Sequence, residues 1–223
     1  MIDPKRELKR KAAEEAVTRV ESGTIVGLGT GSTAALALEA IGRKLASGEL
    51  VDILGIATSV RTRELARQAG IELTTLEDHP NVDLTIDGAD EVDPNGDLIK
   101  GHGGALLWEK IVAAASRRYV IIVDESKMVD QLGSTCAVPV EVVPFGWNTG
   151  FATMEALGAG AELRCEDGEP FRTDEGHYII DCHFQGGLSD PRRVDEALRA
   201  LPGVVESGLF LGMRPEVIVG RTD

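Results

Sequence analysis

The run Tyr119-Val120-Ile121-Ile122-Val123 is almost uniformly apolar, and a strand of that composition belongs in a sheet covered on both faces. That requirement selects a parallel or mostly parallel sheet, whose helical crossovers supply the covering layers. The preceding sequence agrees. Residues 5–21 read as an amphipathic helix, with Leu8, Ala12, Ala16, Val17 and Val20 on one side and Gly23 after it. Apolar runs then recur at 24–28, 53–57 and 82–86, separated or followed by helix-period segments at 33–45, 60–69 and 104–116. Strand and helix alternate in βαβ rhythm.

From about residue 131 the rhythm changes. The spacing predicts a strand over 138–143, a helix over 147–157, strands over 161–165 and 178–183, a helix over 191–201 and a strand over 204–210. That order is the split βαβ, or ferredoxin-like, arrangement. Val217-Ile218-Val219 is placed to rejoin the first sheet. The expectation is an α/β chain with a Rossmann-like, doubly wound, mostly parallel sheet domain over 1–130 and 206–223. A smaller ferredoxin-like α+β domain fills 131–205.

Composition removes several functions. The chain has 223 residues with 43% hydrophobic content, enough to bury a core. It contains no stretch near the roughly 20 apolar residues of a membrane span. Its start, Met1-Ile2-Asp3-Pro4-Lys5-Arg6, leads into charged helix rather than an apolar signal core, so a cytoplasmic protein without a membrane partner is expected. Thirty-seven acids against 23 bases give a formal charge of −14, which disfavours nucleic acid as a partner. Only seven of the bases are lysine. An acid-rich, lysine-poor surface suits a high-salt cytoplasm, and codon bias explains it equally well. Cys136, Cys165 and Cys182 are odd in number and widely spaced, which points to buried thiols rather than zinc or redox chemistry.

Gly27-Leu28-Gly29-Thr30-Gly31-Ser32-Thr33 joins a predicted strand to a predicted helix. Glycines let the backbone approach an anion, the helix start points free amides at it, and Thr30, Ser32 and Thr33 add hydroxyl donors. A single phosphate fits. A dinucleotide turn needs a third glycine where Ser32 stands and an acid near Thr58-Ser59. A triphosphate loop needs lysine where Gly31 stands. The plain alternative is a tight helix-capping turn.

Asp87-Gly88-Ala89-Asp90-Glu91 follows the strand at 82–86, beyond the carboxyl end where open α/β sheets bind ligands. Three acids so close suit acid–base work, hydrogen bonding to sugar hydroxyls or metal binding, or form a solvated acidic turn. Lys100-Gly101-His102-Gly103-Gly104-Ala105 is a second glycine-rich turn opening a helix. Its amides and ammonium are suited to stabilising negative charge that develops during a reaction. In that helix Lys110 and Arg117 mark the wet face, while Glu109 lies among Ala105, Val112, Ala113 and Ser116. A carboxylate among small apolar neighbours is expected to have a raised pKa, which suits a base; an isolated Glu is more often a surface residue. Lys127 stands just past a strand end and Lys9 on the first helix. His79, His102, His177 and His183 have no partner at metal-ligand spacing, so no metal is expected.

Together Gly-Thr-Gly-Ser-Thr at 29–33, Asp-Gly-Ala-Asp-Glu at 87–91, Lys-Gly-His-Gly-Gly-Ala-Leu at 100–106 with Glu109-Lys110, and Asp-Glu-Ser-Lys at 124–127 resemble the ribose-5-phosphate isomerase A family. The resemblance continues through Pro-Gly-Val-Val-Glu-Ser-Gly-Leu-Phe at 202–210 and covers nearly the whole chain. It implies a Rossmann-like domain with a smaller lid domain, no cofactor, and a homodimer or homotetramer. It also implies aldose–ketose interconversion of ribose 5-phosphate and ribulose 5-phosphate through an enediolate, in the non-oxidative pentose phosphate pathway.

By that resemblance Glu109 is the base, Asp87 assists ring opening, Asp90 orients hydroxyls and Lys100 holds the enediolate oxygen. Substrate contacts fall to Thr30, Gly31, Ser32 and Thr33, to Asp87, Gly88, Ala89 and Asp90, and to Lys100, Gly101, His102 and Gly103. Lys127 also binds, and Lys9 lies near the phosphate. Two positions depart from the family pattern: His102 occupies a variable turn position, and Trp108 stands where arginine is frequent. Two other readings stand beside it, an NAD-dependent or CoA-transferring α/β enzyme that uses the glycine turn for its cofactor, and a sugar-phosphate-sensing domain that is no enzyme. Cofactor titration separates the first; the second ordinarily carries a DNA reader, and no helix-turn-helix or basic stripe is visible.

Overall fold

The computed structural model describes residues 4–221. Residues 1–3, the charged start discussed above, and 222–223, the end of the expected sheet domain, lie outside them. The first elements are α1 (Pro4–Val17), β1 (Ile25–Leu28), α2 (Ser32–Ser47), β2 (Leu54–Ala57), α3 (Val60–Gln68), β3 (Glu72–Leu73) and β4 (Val82–Asp87). Short strands β5 (Glu91–Val92) and β6 (Leu98–Ile99) precede α4 (Leu106–Ala114) and β7 (Ser116–Asp124). Then come β8 (Val138–Val142), α5 (Phe151–Ala156), β9 (Ala159–Leu163), β10 (Cys165–Glu166), β11 (Glu169–Pro170) and β12 (Tyr178–Phe184). The chain closes with α6 (Pro191–Arg199), β13 (Val204–Ser207), β14 (Leu209–Phe210) and β15 (Glu216–Gly220).

By internal contacts these divide into two compact units, one of Met1–Ala89, Trp108–Lys127 and Met213–Asp223, the other of Asp90–Leu107 and Met128–Gly212. The first unit holds a six-stranded sheet in the order β15-β7-β4-β1-β2-β3, with every pairing parallel. Counting only its own strands, that is the doubly wound order 3-2-1-4-5-6 reversed, with the switch between β1 and β4. One face is covered by α1 and α2, where Ala12, Ala16, Leu36 and Ile41 pack on Val26, Leu28, Ile86, Val120 and Ile122. On the other face Val112 of α4 packs with Ile56 and Val82. Gly27 makes that approach close: a Cβ there would stand 2.8 Å from Val112 Cγ1. The apolar run at 119–123 is buried throughout, as a strand covered on both sides must be.

The second unit contains a four-stranded antiparallel sheet, β13-β8-β12-β9, the ferredoxin-like order. Its core includes Val138, Val140, Val142, Met154, Ile180 and Leu198. A separate three-stranded sheet pairs β14, β6 and β5, and this unit also takes in residues 90–107 and 206–212.

Several elements differ from their sequence-based bounds for local reasons. Helix α1 stops at Val17 because the next amides bond three residues back, Thr18 to Glu15 and Val20 to Val17, tightening the last turn. Helix α5 begins only at Phe151, after a turn at Gly146 with φ +67°. The strand expected over 204–210 is two strands in two sheets. It breaks at Gly208, where a Cβ would lie 2.3 Å from Lys100 O. The two-residue strands β3, β5, β6, β10, β11 and β14 are too short to leave a period in the sequence. The expectation of buried cysteines holds for Cys182 alone; Cys136 is half-buried and Cys165 exposed, the latter on the short β10 hairpin.

Candidate active site

In the first unit the carboxyl ends of β1 and β4 meet at the topological switch, and their turns are stitched together. Gly29 N donates to Ile86 O at 2.9 Å. Thr30 N and Gly88 N donate to Asp87 Oδ1 at 3.1 and 2.7 Å. A Cβ at Gly29 would lie 2.5 Å from the Asp87 Cα, so only glycine permits this closeness. Asp87 is fully buried, a carboxylate built into the turn rather than a solvated surface acid.

Gly31 precedes α2 with φ +115°, and no side-chain hydrogen bond caps the helix. Its first amides are therefore not engaged by a capping side chain, and they carry the positive end of a 16-residue helix dipole. Gly31 and Ser32 are exposed and Thr33 half-buried. Lys9 Nζ donates to Ser32 Oγ at 3.0 Å, bringing a cation from α1 to the same helix start. At the end of β7, Asp124 is buried and accepts from Ser126 N at 3.1 Å. Burial alone would raise its pKa; bonds from the Ser126 hydroxyl and amide and the charges of Lys9 and Lys127 outweigh that and hold it below the usual range. Lys9, Lys127 and the α2 start thus form a positive cluster able to hold a phosphate.

Thr30 Oγ1 turns away from the anion role expected of it. It lies 2.8, 2.9 and 2.9 Å from Thr58 Oγ1, Ser59 Oγ and Thr62 Oγ1, while Thr58 and Thr62 donate to Leu28 O and Gly29 O. This hydroxyl cluster braces the turn from β2 and α3. In the sequence Thr58-Ser59 stand out only as the place where a dinucleotide acid is missing.

Glu109 sits in the first turn of α4 and is 4% exposed. Helix α4 leads into β7 and runs back across the sheet, so its first turn lies toward the carboxyl edge that carries the 29–33 and 87–89 turns. Glu109 shares a face with buried Val112 and Ala113, as its wheel position predicts. Trp108 beside it stacks with Arg63, whose Cζ lies 5.6 Å from a ring centroid.

The second unit carries Asp90, Lys100, Gly101, His102 and Gly103. Asp90 Oδ2 accepts from His102 N at 3.1 Å, while Asp90 N donates to Ile99 O. Lys100 is 2% exposed, its Nζ 5.6 Å from the centroid of the Phe210 ring, and its amide donates to Gly208 O at 2.9 Å. The His102 side chain lies 3.4 Å from Ala137 O through Nε2. The third acid of the 87–91 turn has left the group. Glu91 is fully buried and accepts from Gly133 N, Thr135 N, Thr135 Oγ1 and Cys136 N. Among the described residues no three His, Cys, Asp or Glu side chains come together so as to hold a metal ion. No described helix is long and apolar enough to cross a membrane.

Residues 54–223 match the family model for ribose 5-phosphate isomerase A, also called phosphoriboisomerase A. This chain belongs to that family. Ribose-5-phosphate isomerase A of Gloeobacter violaceus is 54% identical over 214 residues, covering 95% of this chain and 91% of the relative. The enzyme of Roseiflexus castenholzii is 50% identical over 216 residues, covering 96% and 92%. A ribose 5-phosphate isomerase of Plasmodium falciparum matches with a TM-score of 0.93 at 42% identity, over 96% of this chain and 94% of that one. A D-ribose-5-phosphate isomerase solved with phospho-erythronic acid matches with a TM-score of 0.95 at 40% identity, over 98% and 96%.

Proposed function

We propose that Glu109 is the base with which this ribose-5-phosphate isomerase converts D-ribose 5-phosphate to D-ribulose 5-phosphate and back. In the open-chain aldose the proton on C2 is acidified by the adjacent C1 carbonyl. Glu109 takes it, the electron pair moves to the carbonyl oxygen as an enediolate, the O2 hydroxyl proton passes to O1 so that the charge lies on O2, and the same carboxyl group returns a proton to C1 as the C2 carbonyl forms. The observation that carries this reading is a buried carboxylate in the first turn of α4, toward the carboxyl edge of the sheet.

The remaining roles are those that the family resemblance implies for these positions. The α2 start at Gly31, Ser32 and Thr33, with Lys9 and Lys127, binds the phosphate, and Thr30 braces the turn that presents it. Asp87 assists opening of the furanose ring, with Gly88 and Ala89 beside the sugar. Asp90 orients hydroxyls; Lys100 and the adjacent turn, through amides not held by Asp90, hold the enediolate oxygen. Protein and substrate are both anionic, so local cations must overcome the global field. Three of the seven lysines, Lys9, Lys100 and Lys127, are assigned to that task. The protein works as a cytoplasmic homodimer or homotetramer in the non-oxidative pentose phosphate pathway; its free cysteines, one of them exposed, suit a reducing compartment.

The test is Glu109→Gln, which keeps shape and removes the base. Turnover should fall by about 10⁴-fold or more, the upper end for general-base catalysis, because one group serves both transfers. Binding of the phosphorylated four-carbon acid should be largely retained. A variant within about tenfold of wild type would pass the base role to Asp87 or Asp90.

A further inference from the structure

The turn at 100–104 is held from behind by one guanidinium. Arg164 follows β9 and its Nη1 donates to Gly101 O at 2.9 Å and to His102 O at 3.1 Å. The rest of its fork is occupied by Asp181 of β12, with Nε to Oδ2 at 2.8 Å and Nη2 to Oδ1 at 2.5 Å. Both side chains are largely buried, at 15% and 16% exposure. Phe171 completes the support. Its ring centroid is 5.9 Å from Arg164 Cζ, and its edge occupies the place where a Cβ on Gly104 would stand, 2.4 Å away.

The peptide geometry converts this grip into a direction. In a trans peptide the carbonyl and the following amide point opposite ways, and no cis bond occurs among the described residues. Fixing Gly101 O and His102 O toward Arg164 turns the amides of His102 and Gly103 away from it. The His102 amide accordingly meets Asp90 Oδ2. The Gly103 amide is turned the same way, on an exposed residue with nothing within 4 Å of where a Cβ would stand. A cation on the carbonyl end also polarises each peptide and makes its amide a better donor.

We propose that Arg164 is a positioning residue for the isomerisation: braced by Asp181, it aims and polarises the Gly103 amide so that it donates to the developing enediolate oxygen. This rests on the reading of the 100–104 turn as the oxyanion site. Arginine is required because one planar fork spans a carboxylate and two carbonyls at once, which a lysine ammonium cannot do.

Two variants test it. The double variant Arg164→Met/Asp181→Leu removes the strut without leaving a buried charge alone, and Arg164→Lys keeps the charge but not the fork. Each is assayed for kcat and KM. Each is also titrated with 4-phosphoerythronate, whose carboxylate mimics the enediolate, and with ribitol 5-phosphate, which has no such group. A misaimed donor costs about 10- to 100-fold. That loss is expected in kcat and in affinity for the acid, with KM and polyol affinity within about threefold; Arg164→Lys should fall between.

If the double variant loses its circular dichroism signature, the ratio of the two probe affinities in Arg164→Lys carries the test. An unchanged ratio, or both affinities weakened alike, overturns the proposal, since a merely structural residue would not separate the probes. Lys100→Met in the same assay distinguishes the failures. If it abolishes turnover while the strut variants do not, Arg164 alone is misassigned; if it too leaves turnover intact, the oxyanion reading falls.

Discussion

Replacing Glu91 by Gln separates the acid that builds the second unit from its neighbours in sequence that are proposed to serve the reaction. The buried carboxylate accepts four donors: Gly133 N at 2.5 Å on one oxygen, and Thr135 N, Thr135 Oγ1 and Cys136 N at 2.6, 2.6 and 3.0 Å on the other. Glutamine can offer its oxygen to the three donors on one side, but must then turn its NH₂ against the Gly133 amide. One buried amide loses its partner, at about 1–3 kcal/mol, and three bonds lose their charge assistance, roughly half the strength of each. Relief of the carboxylate's desolvation offsets part of this, leaving a net loss of about 2–4 kcal/mol. For a chain of this length each kcal/mol lowers Tm by about 2–4 °C, so a drop of about 5–15 °C is expected. Thermal unfolding followed by circular dichroism measures it, alongside kcat well below the transition, which should stay within about threefold. An unchanged Tm with turnover reduced by about 10²-fold or more would refute the structural assignment and place Glu91 in the reaction.

Burial holds Glu141 above the usual carboxylate range despite hydrogen bonds from His177 and Thr173. Its folded pKa exceeds the unfolded value of 4.5, so its contribution to stability is full below that pH and is lost as pH rises through the folded pKa. Glu141→Gln should therefore stabilise increasingly from about pH 4.5 upward, read as urea midpoints across pH 4–8; a benefit that grows toward acid would refute this. Cys165 is exposed, whereas burial pushes the Cys182 thiol up to about 12. Alkylation of the native protein followed by mass spectrometry should modify Cys165 and spare Cys182 until denaturant is added, and equal labelling would contradict that packing. Exhaustive chelation should leave turnover unchanged, since the proton transfer needs only a base and an oxyanion site; loss restored by magnesium or manganese would reassign the acids at 87 and 90 as ligands.

Local chemistry made much of the fold legible from sequence. A fully apolar run requires a doubly covered strand, and a helix-period stripe requires a helix with one buried face. These patterns placed the six helices of the described residues and the longer strands, and carried the expectation of a doubly wound sheet and of a ferredoxin-like arrangement. Glycine turns at strand ends marked 29–33 and 100–104 because the backbone conformations they adopt, such as φ +115° at Gly31 and +108° at Gly101, are ones that other residues rarely reach. The wheel position of Glu109 anticipated its burial for the same reason.

Tertiary structure decided what no local pattern records. Asp87, Asp90 and Glu91 look equivalent in sequence, yet one stitches the β1 and β4 turns, one holds the His102 amide and one clamps the loop at 133–136. The Thr30 hydroxyl, which reads as a phosphate donor, is turned into a cluster with Thr58, Ser59 and Thr62. Arg164 reaches Gly101 across 63 residues of chain and carries no motif at all. Periodicity and turn chemistry depend on neighbours a few residues apart, so the sequence alone determines elements and the places where the backbone bends. Which polar groups meet depends on strand register and on contacts closed over long loops, and that information exists only once the sheets have formed.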